Sequence, residues 1–158
     1  MKTMNAIGLD SEQSEALAGK LSELLANYSI FYQNVRGYHW NIKGQKFFEL
    51  HLKFEELYTD LQVKIDEVAE RILTLGSTPN HRYTHYAKLS GILESSQVSD
   101  GLKAVEDILV SLKTIITIQR DLLSLSAAAG DEGTNAQMSD YIRAQEKLVW
   151  MYSSFLGK

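Results

Sequence analysis

Apolar side chains recur at intervals of three and four residues along four long stretches of this chain, and glycine or proline separates the stretches. The first runs from about Asp10 to Trp40, with Leu17, Leu21, Leu24, Leu25, Tyr28, Phe31, Tyr32 and Val35 on one face. That spacing is the period of an amphipathic helix. Asp10 or Ser11 can cap it, and Glu15 suits its first turn. After a short loop at Asn41 to Gln45, the second stretch runs from about Lys46 to Leu75 through Phe47, Phe54, Leu57, Leu61, Ile65, Val68 and Ile72. Gly76-Ser77-Thr78-Pro79 ends it with a glycine-then-proline stop. A connection from Asn80 to Ser99 follows, in which the pattern predicts a short helix near Tyr86 to Ile92. The third stretch, about Asp100 to Ala129, carries Leu102, Val105, Leu109, Leu112, Ile116 and Leu122. The fourth, Thr134 to about Leu156, carries Met138, Tyr141, Ile142, Leu148, Val149, Tyr152 and Phe155. Thr134 is the expected cap of this last helix. Four such helices, joined mostly by short loops, pack best as an antiparallel bundle, with the long connection crossing it end to end.

Composition narrows the picture. A chain of 158 residues makes one domain, 1–158, and buries roughly 70% of its unfolded surface. The hydrophobic fraction of 44% and charged fraction of 23% are those of a soluble globular protein. Pro79 is the one proline, which suits long helices. There is no cysteine, so disulfides and thiolate metal sites are excluded, and any metal must take His, Asp, Glu or backbone oxygen. The N-terminus has no apolar signal-peptide run, and no stretch reaches the roughly 20 apolar residues of a membrane span. A soluble, cytoplasmic protein is expected. A net charge of −4 argues against strong nucleic-acid binding, which needs Lys and Arg against phosphates.

The second helix carries the candidate chemistry. With His51 set at zero on a helical wheel, Glu55 falls near 40°, Asp66 near 60° and Glu70 near 100°. One histidine and three carboxylates thus share a stripe. Asp66 and Glu70 are like charges one turn apart, mildly unfavourable unless a cation sits between them. The set suits Fe, Mn or Zn. His51 and Asp66 are fifteen residues apart, roughly 22 Å along the axis at about 1.5 Å per residue. Metal–ligand bonds are about 2 Å, so one helix cannot bring both to one ion. No Glu-x-x-His pair, the device that builds a dimetal site inside one bundle, is present. Two copies of the helix packed antiparallel about a two-fold axis would set the His51 end of one against the Asp66 and Glu70 end of the other, twice over. His39, at the end of the first helix, can join His51 across the short loop.

Tyr38-His39-Trp40-Asn41, Phe48-Glu49-Leu50-His51, Phe54, Tyr58 and Asp66-Glu67-Val68-Ala69-Glu70-Arg71-Ile72 resemble, in order and spacing, the signature of the Dps family, or mini-ferritins. The likeness extends to Glu146-Lys147 and Trp150. It implies an all-α, ferritin-like four-helix bundle with a short helix between helices 2 and 3. It also implies a homo-oligomer, a hollow dodecamer with a ferroxidase centre between two subunits. His39 and His51 of one subunit, with Asp66 and Glu70 of its partner, would hold iron there, two ions per site. Glu55 matches a further acid position for the second iron, where the family more often has Asp. The implied reaction is oxidation of Fe(II), preferably by hydrogen peroxide, with Fe(III) stored as mineral and DNA protected indirectly.

Each residue has a plainer reading. His39 and His51 can be core histidines, and Asp66 with Glu70 a solvated face; their common register favours the metal reading. Trp40 is a packing anchor or an electron donor that limits radical escape. His81 and His85 could bind a metal if helical, but a surface loop fits better. Asp131 and Glu132 are a solvated turn or, by resemblance, the lining of an iron-entry pore, although Asn135-Ala136 stand where a further acid often follows. The alternative to a ferroxidase store is a DNA-compacting Dps. The first nineteen residues hold Lys2, no Arg and three acids, so direct DNA binding is not expected. A purely structural bundle, or a related cage that prefers Zn or Mn, are the remaining readings.

Overall fold

The computed structural model describes residues 1–158 and contains five helices and no strand: α1 Ser11–Asn41, α2 Phe47–Thr74, α3 Tyr83–Leu89, α4 Gly101–Ala128 and α5 Glu132–Phe155. The four long helices fall where the apolar period places them, to within a residue or two at most ends.

Capping explains where they start and stop. Gln13 N–H donates to the Asp10 carboxylate at 2.9 Å, so Asp10 caps α1. Gly76, at φ 98, and Gly130, at φ 68, take the left-handed conformation that L side chains resist. At each, the next residue's N–H reaches back five residues, Ser77 to Ile72 O and Asp131 to Ser126 O, which closes α2 and α4. The last helix begins two residues earlier than expected. Its cap is Asp131 rather than Thr134, because Thr134 N–H donates to the Asp131 carboxylate at 3.0 Å.

The short helix is also displaced, to Tyr83–Leu89 instead of Tyr86–Ile92. The cause is a side chain on α1. Buried Asn27 accepts from Gly91 N–H at 3.0 Å and Ile92 N–H at 3.2 Å, which holds these residues out of a helix. Seven residues on, Asn34 donates to Leu93 O and accepts from Ser95 N–H, both at 2.9 Å. Two asparagines thus lay the link along α1.

Lys43 N–H donates to Ser99 O at 2.9 Å, so the α1–α2 loop and the start of α4 share one end of the bundle. Arg71 reaches Asp131 at 2.7 Å, so the end of α2 lies beside the α4–α5 turn at the other end. The link therefore crosses the bundle from end to end. The core is one cluster in which Leu21, Phe31, Phe54, Leu61, Ile108, Leu112 and Met138 are fully buried. Leu102, counted in the apolar stripe, faces solvent instead. At the centre sits a ring of hydrogen bonds. Tyr28 OH donates to Gln145 Oε1, Gln145 Nε2 to Gln119 Oε1 at 2.5 Å, and Gln119 Nε2 back to Tyr28 OH at 2.6 Å. Each group gives and takes one bond, so these buried polar groups cost the core little. No helix is long and apolar enough to cross a membrane.

Candidate metal centre

His39 lies in the last turn of α1 and His51 in the first turns of α2, and the short loop between the helices folds their rings together. The rings stack, with centroids 3.7 Å apart and planes 11° from parallel. Each binds the other's backbone: His39 Nδ1 meets His51 O at 2.6 Å, and His51 Nδ1 meets His39 O at 2.7 Å. A carbonyl oxygen only accepts, so both Nδ1 atoms carry the proton. In the neutral imidazole each Nε2 then keeps its lone pair free for a metal. Phe47 stacks on His51 with centroids 4.8 Å apart, and Tyr58 meets His39 edge-on at 5.4 Å. Each ring is gripped by the other and by one further aromatic side chain, and His39 is buried.

Asp66 and Glu70 lie on the exposed side of α2, further along the helix. Glu70 is held above the ordinary carboxylate range, first by a hydrogen bond with Asp66 and then by that neighbour's charge. Two carboxylates this close share a proton, or a cation, more readily than they share two charges. Glu55 is exposed one turn beyond His51. Within one chain no group of three or more His, Asp or Glu side chains is gathered to hold a metal.

The face of the bundle that carries Asp66 is hollowed. A groove of about 790 Å³ is lined by Tyr32, Arg36, Trp40, His81, Tyr83 and others, and an adjoining one of about 500 Å³ is lined by Val63, Asp66, Ala69 and His81.

The ferritin-like domain family matches residues 18–158. A DNA protection during starvation protein of Porphyromonas gingivalis is 39% identical over 157 residues, covering 99% of both chains. The chain belongs to the Dps family of ferritin-like proteins. A Dps crystal structure from Vibrio cholerae O1, described as a member of a broad superfamily of ferritin-like diiron-carboxylate proteins, superposes with a TM-score of 0.97 at 54% identity, covering 99% of this chain and 98% of that one. A Dps structure from Bacillus brevis gives 0.89 at 29% identity, with 99% of both chains covered. Both superpositions cover 99% of this chain.

Of the other residues singled out from sequence, Asp131 and Trp40 are the ones placed differently from expectation. Asp131 does not face solvent. It is 2% exposed, caps α5 and pairs with Arg71, whose Nε also donates to Thr134 Oγ1 at 2.9 Å. Of the two acids in that turn, Glu132 alone is exposed. Trp40 is not packed into its own subunit. The residue is 55% exposed, and the Arg36 guanidinium lies over its ring, 4.9 Å from the ring centre. His81 precedes α3 and His85 lies inside it, because Asn80 accepts from Arg82 N–H at 3.0 Å and keeps the chain non-helical there, so the helical pair is not formed. Tyr58 and Phe47, which grip the histidines, were not assigned roles from sequence. Tyr58 had a signal: it is seven residues from His51, on the same helical face. Arg71 had none, since its partner is sixty residues away.

Proposed function

We propose that this Dps-family chain oxidises Fe(II) with hydrogen peroxide at dinuclear sites, each completed by two copies of the chain, and stores Fe(III) as mineral inside a hollow dodecamer in the cytoplasm. The observation that carries this reading is the division of ligands along α2. Two histidines with free Nε2 atoms stand at one end, and the carboxylate pair stands about 22 Å away at 1.5 Å per residue. Antiparallel pairing of α2 about a two-fold axis joins His39 and His51 of one copy to Asp66 and Glu70 of the other, and does so twice. The exposed apolar side chains Trp40, Val63 and Tyr83 on this hollowed face support a covering partner.

The stacked rings also support two irons per site. A histidine lone pair lies in its ring plane. Lone pairs in two nearly parallel planes cannot converge on one ion, so each histidine serves its own. Glu55, one turn from His51, is placed to assist the second iron. Iron here is substrate. Imidazole nitrogen holds Fe(II), and carboxylates favour the harder Fe(III) product. Peroxide needs two electrons, and two Fe(II) supply them together. With two protons they give two Fe(III) and two waters, and no hydroxyl radical is released. Removing iron and peroxide protects DNA without binding it. Glu132, exposed at the α4–α5 turn, is the remaining candidate for an iron-entry pore.

The test is anaerobic loading with Fe(II), then stoichiometric hydrogen peroxide, following Fe(III) absorbance. Rapid oxidation with soluble mineral in the wild type, lost in the His39→Ala, His51→Ala double variant, supports the reading. Equal, slow oxidation in both overturns it.

A further inference from the structure

We propose that Tyr58, rather than Trp40, is the electron donor that quenches one-electron chemistry at this site. The proposal rests on the two-iron reading above and concerns what happens when peroxide meets a site that holds a single Fe(II).

Three observations select Tyr58. First, contact: its ring meets His39 edge-on, with centroids 5.4 Å apart and planes at 75°. Trp40 follows His39 in sequence, yet its ring lines the groove of about 790 Å³ beside Arg36 and stacks on neither histidine. Second, charge: the Arg36 guanidinium stands 4.9 Å from the Trp40 ring centre and 5.4 Å from that of Tyr32. A fixed cation against an aromatic face is favourable for the neutral ring and opposes removal of an electron from it. An oxidised indole stays a cation until it sheds its ring proton, so Arg36 guards Trp40 against oxidation. The cations that lie over aromatic rings in this chain sit on Tyr32, Trp40 and Tyr141, and none lies over Tyr58. A phenol also loses its proton as it loses its electron, so the product is neutral. Third, shielding: the Tyr58 ring is half-buried, and Tyr32 backs it edge-on at 6.0 Å.

The step balances. One Fe(II), one hydrogen peroxide and one proton give Fe(III), water and a hydroxyl radical. The O–H bond of Tyr58 then breaks, and its hydrogen atom goes to the hydroxyl radical to form a second water. A neutral phenoxyl radical remains on Tyr58. Iron and tyrosine have each supplied one of the two electrons that peroxide takes.

The assembled protein, loaded anaerobically with one Fe(II) per site, is mixed with equimolar hydrogen peroxide, freeze-quenched and read by electron paramagnetic resonance. A parallel sample contains a hydroxyl-radical spin trap. A tyrosyl signal is expected in the wild type and in Trp40→Phe. It is expected to vanish in Tyr58→Phe, which keeps the ring against His39, while trapped hydroxyl radical rises severalfold. Peptide mapping of the wild type after repeated turnover should find covalent oxidation at Tyr58, a readout that does not depend on any variant assembling. A signal that survives in Tyr58→Phe, a signal lost in Trp40→Phe, or oxidation mapped to Trp40 alone overturns the proposal while leaving the ferroxidase reading intact. Failure of the wild type to oxidise iron rapidly at two Fe(II) per site overturns the ferroxidase reading, and this proposal with it.

Discussion

His39 and His51 hold each other in place: each ring donates Nδ1–H to the other's backbone carbonyl, at 2.6 and 2.7 Å. Because the acceptors are backbone atoms, an alanine at either position leaves the remaining ring its anchor. If each histidine serves its own ion, each single alanine variant should lose one of two tightly bound ions per site. Anaerobic titration with Co(II), a spectroscopic stand-in for Fe(II), counts them. Loss of both ions from either single variant would show that the rings share one.

The Asp66–Glu70 pair gives a prediction with a definite sign. Glu70 is raised above its ordinary carboxylate value by Asp66. A carboxyl raised in the folded state is better tolerated protonated, so its neighbourly cost appears as pH rises through the raised value and is absent below the unfolded one. Metal-free Glu70→Gln should therefore melt higher than the wild type at neutral pH, and the difference should close in acid. The same variant should lose Co(II) affinity. A variant that melts lower at neutral pH would mean that Glu70 has a stabilising partner.

Asp131 and Glu132 are adjacent and should behave oppositely. Asp131→Ala removes the cap of α5 and leaves Arg71 without its carboxylate, a loss of about 2–3 kcal/mol. Glu132→Ala should stay within about 0.5 kcal/mol, as an exposed change does. Chemical denaturation measures both. If Glu132 also lines an entry route, its variant should slow iron uptake at unchanged stability. Equal stability losses would contradict the buried role given to Asp131.

The long helices could be read from sequence because period, glycine and proline all act locally. The displaced parts depend on contacts that no local pattern carries. The α3 residues shift because Asn27, more than sixty positions away, takes the amides of Gly91 and Ile92. The ring of Tyr28, Gln119 and Gln145 joins three helices whose sequences give no hint of one another. The stripe of His51, Glu55, Asp66 and Glu70 was legible, and so was the meeting of His39 with His51 across a short loop. What grips those rings was not, since the choice of Tyr58 over Trp40 turns on side-chain direction at the end of α1.

The central claim is that each site takes histidines from one copy and carboxylates from another. Two dead variants test it together: His39→Ala with His51→Ala, and Asp66→Ala with Glu70→Ala, co-expressed and co-assembled. A mixed pair contains one site with neither ligand set and one site with both. Random pairing should therefore restore about a quarter of the wild-type sites, read as peroxide-driven Fe(III) formation, while each parent alone stays inactive. Mixed assemblies, verified by mass, that remain as inactive as their parents would contradict the shared site.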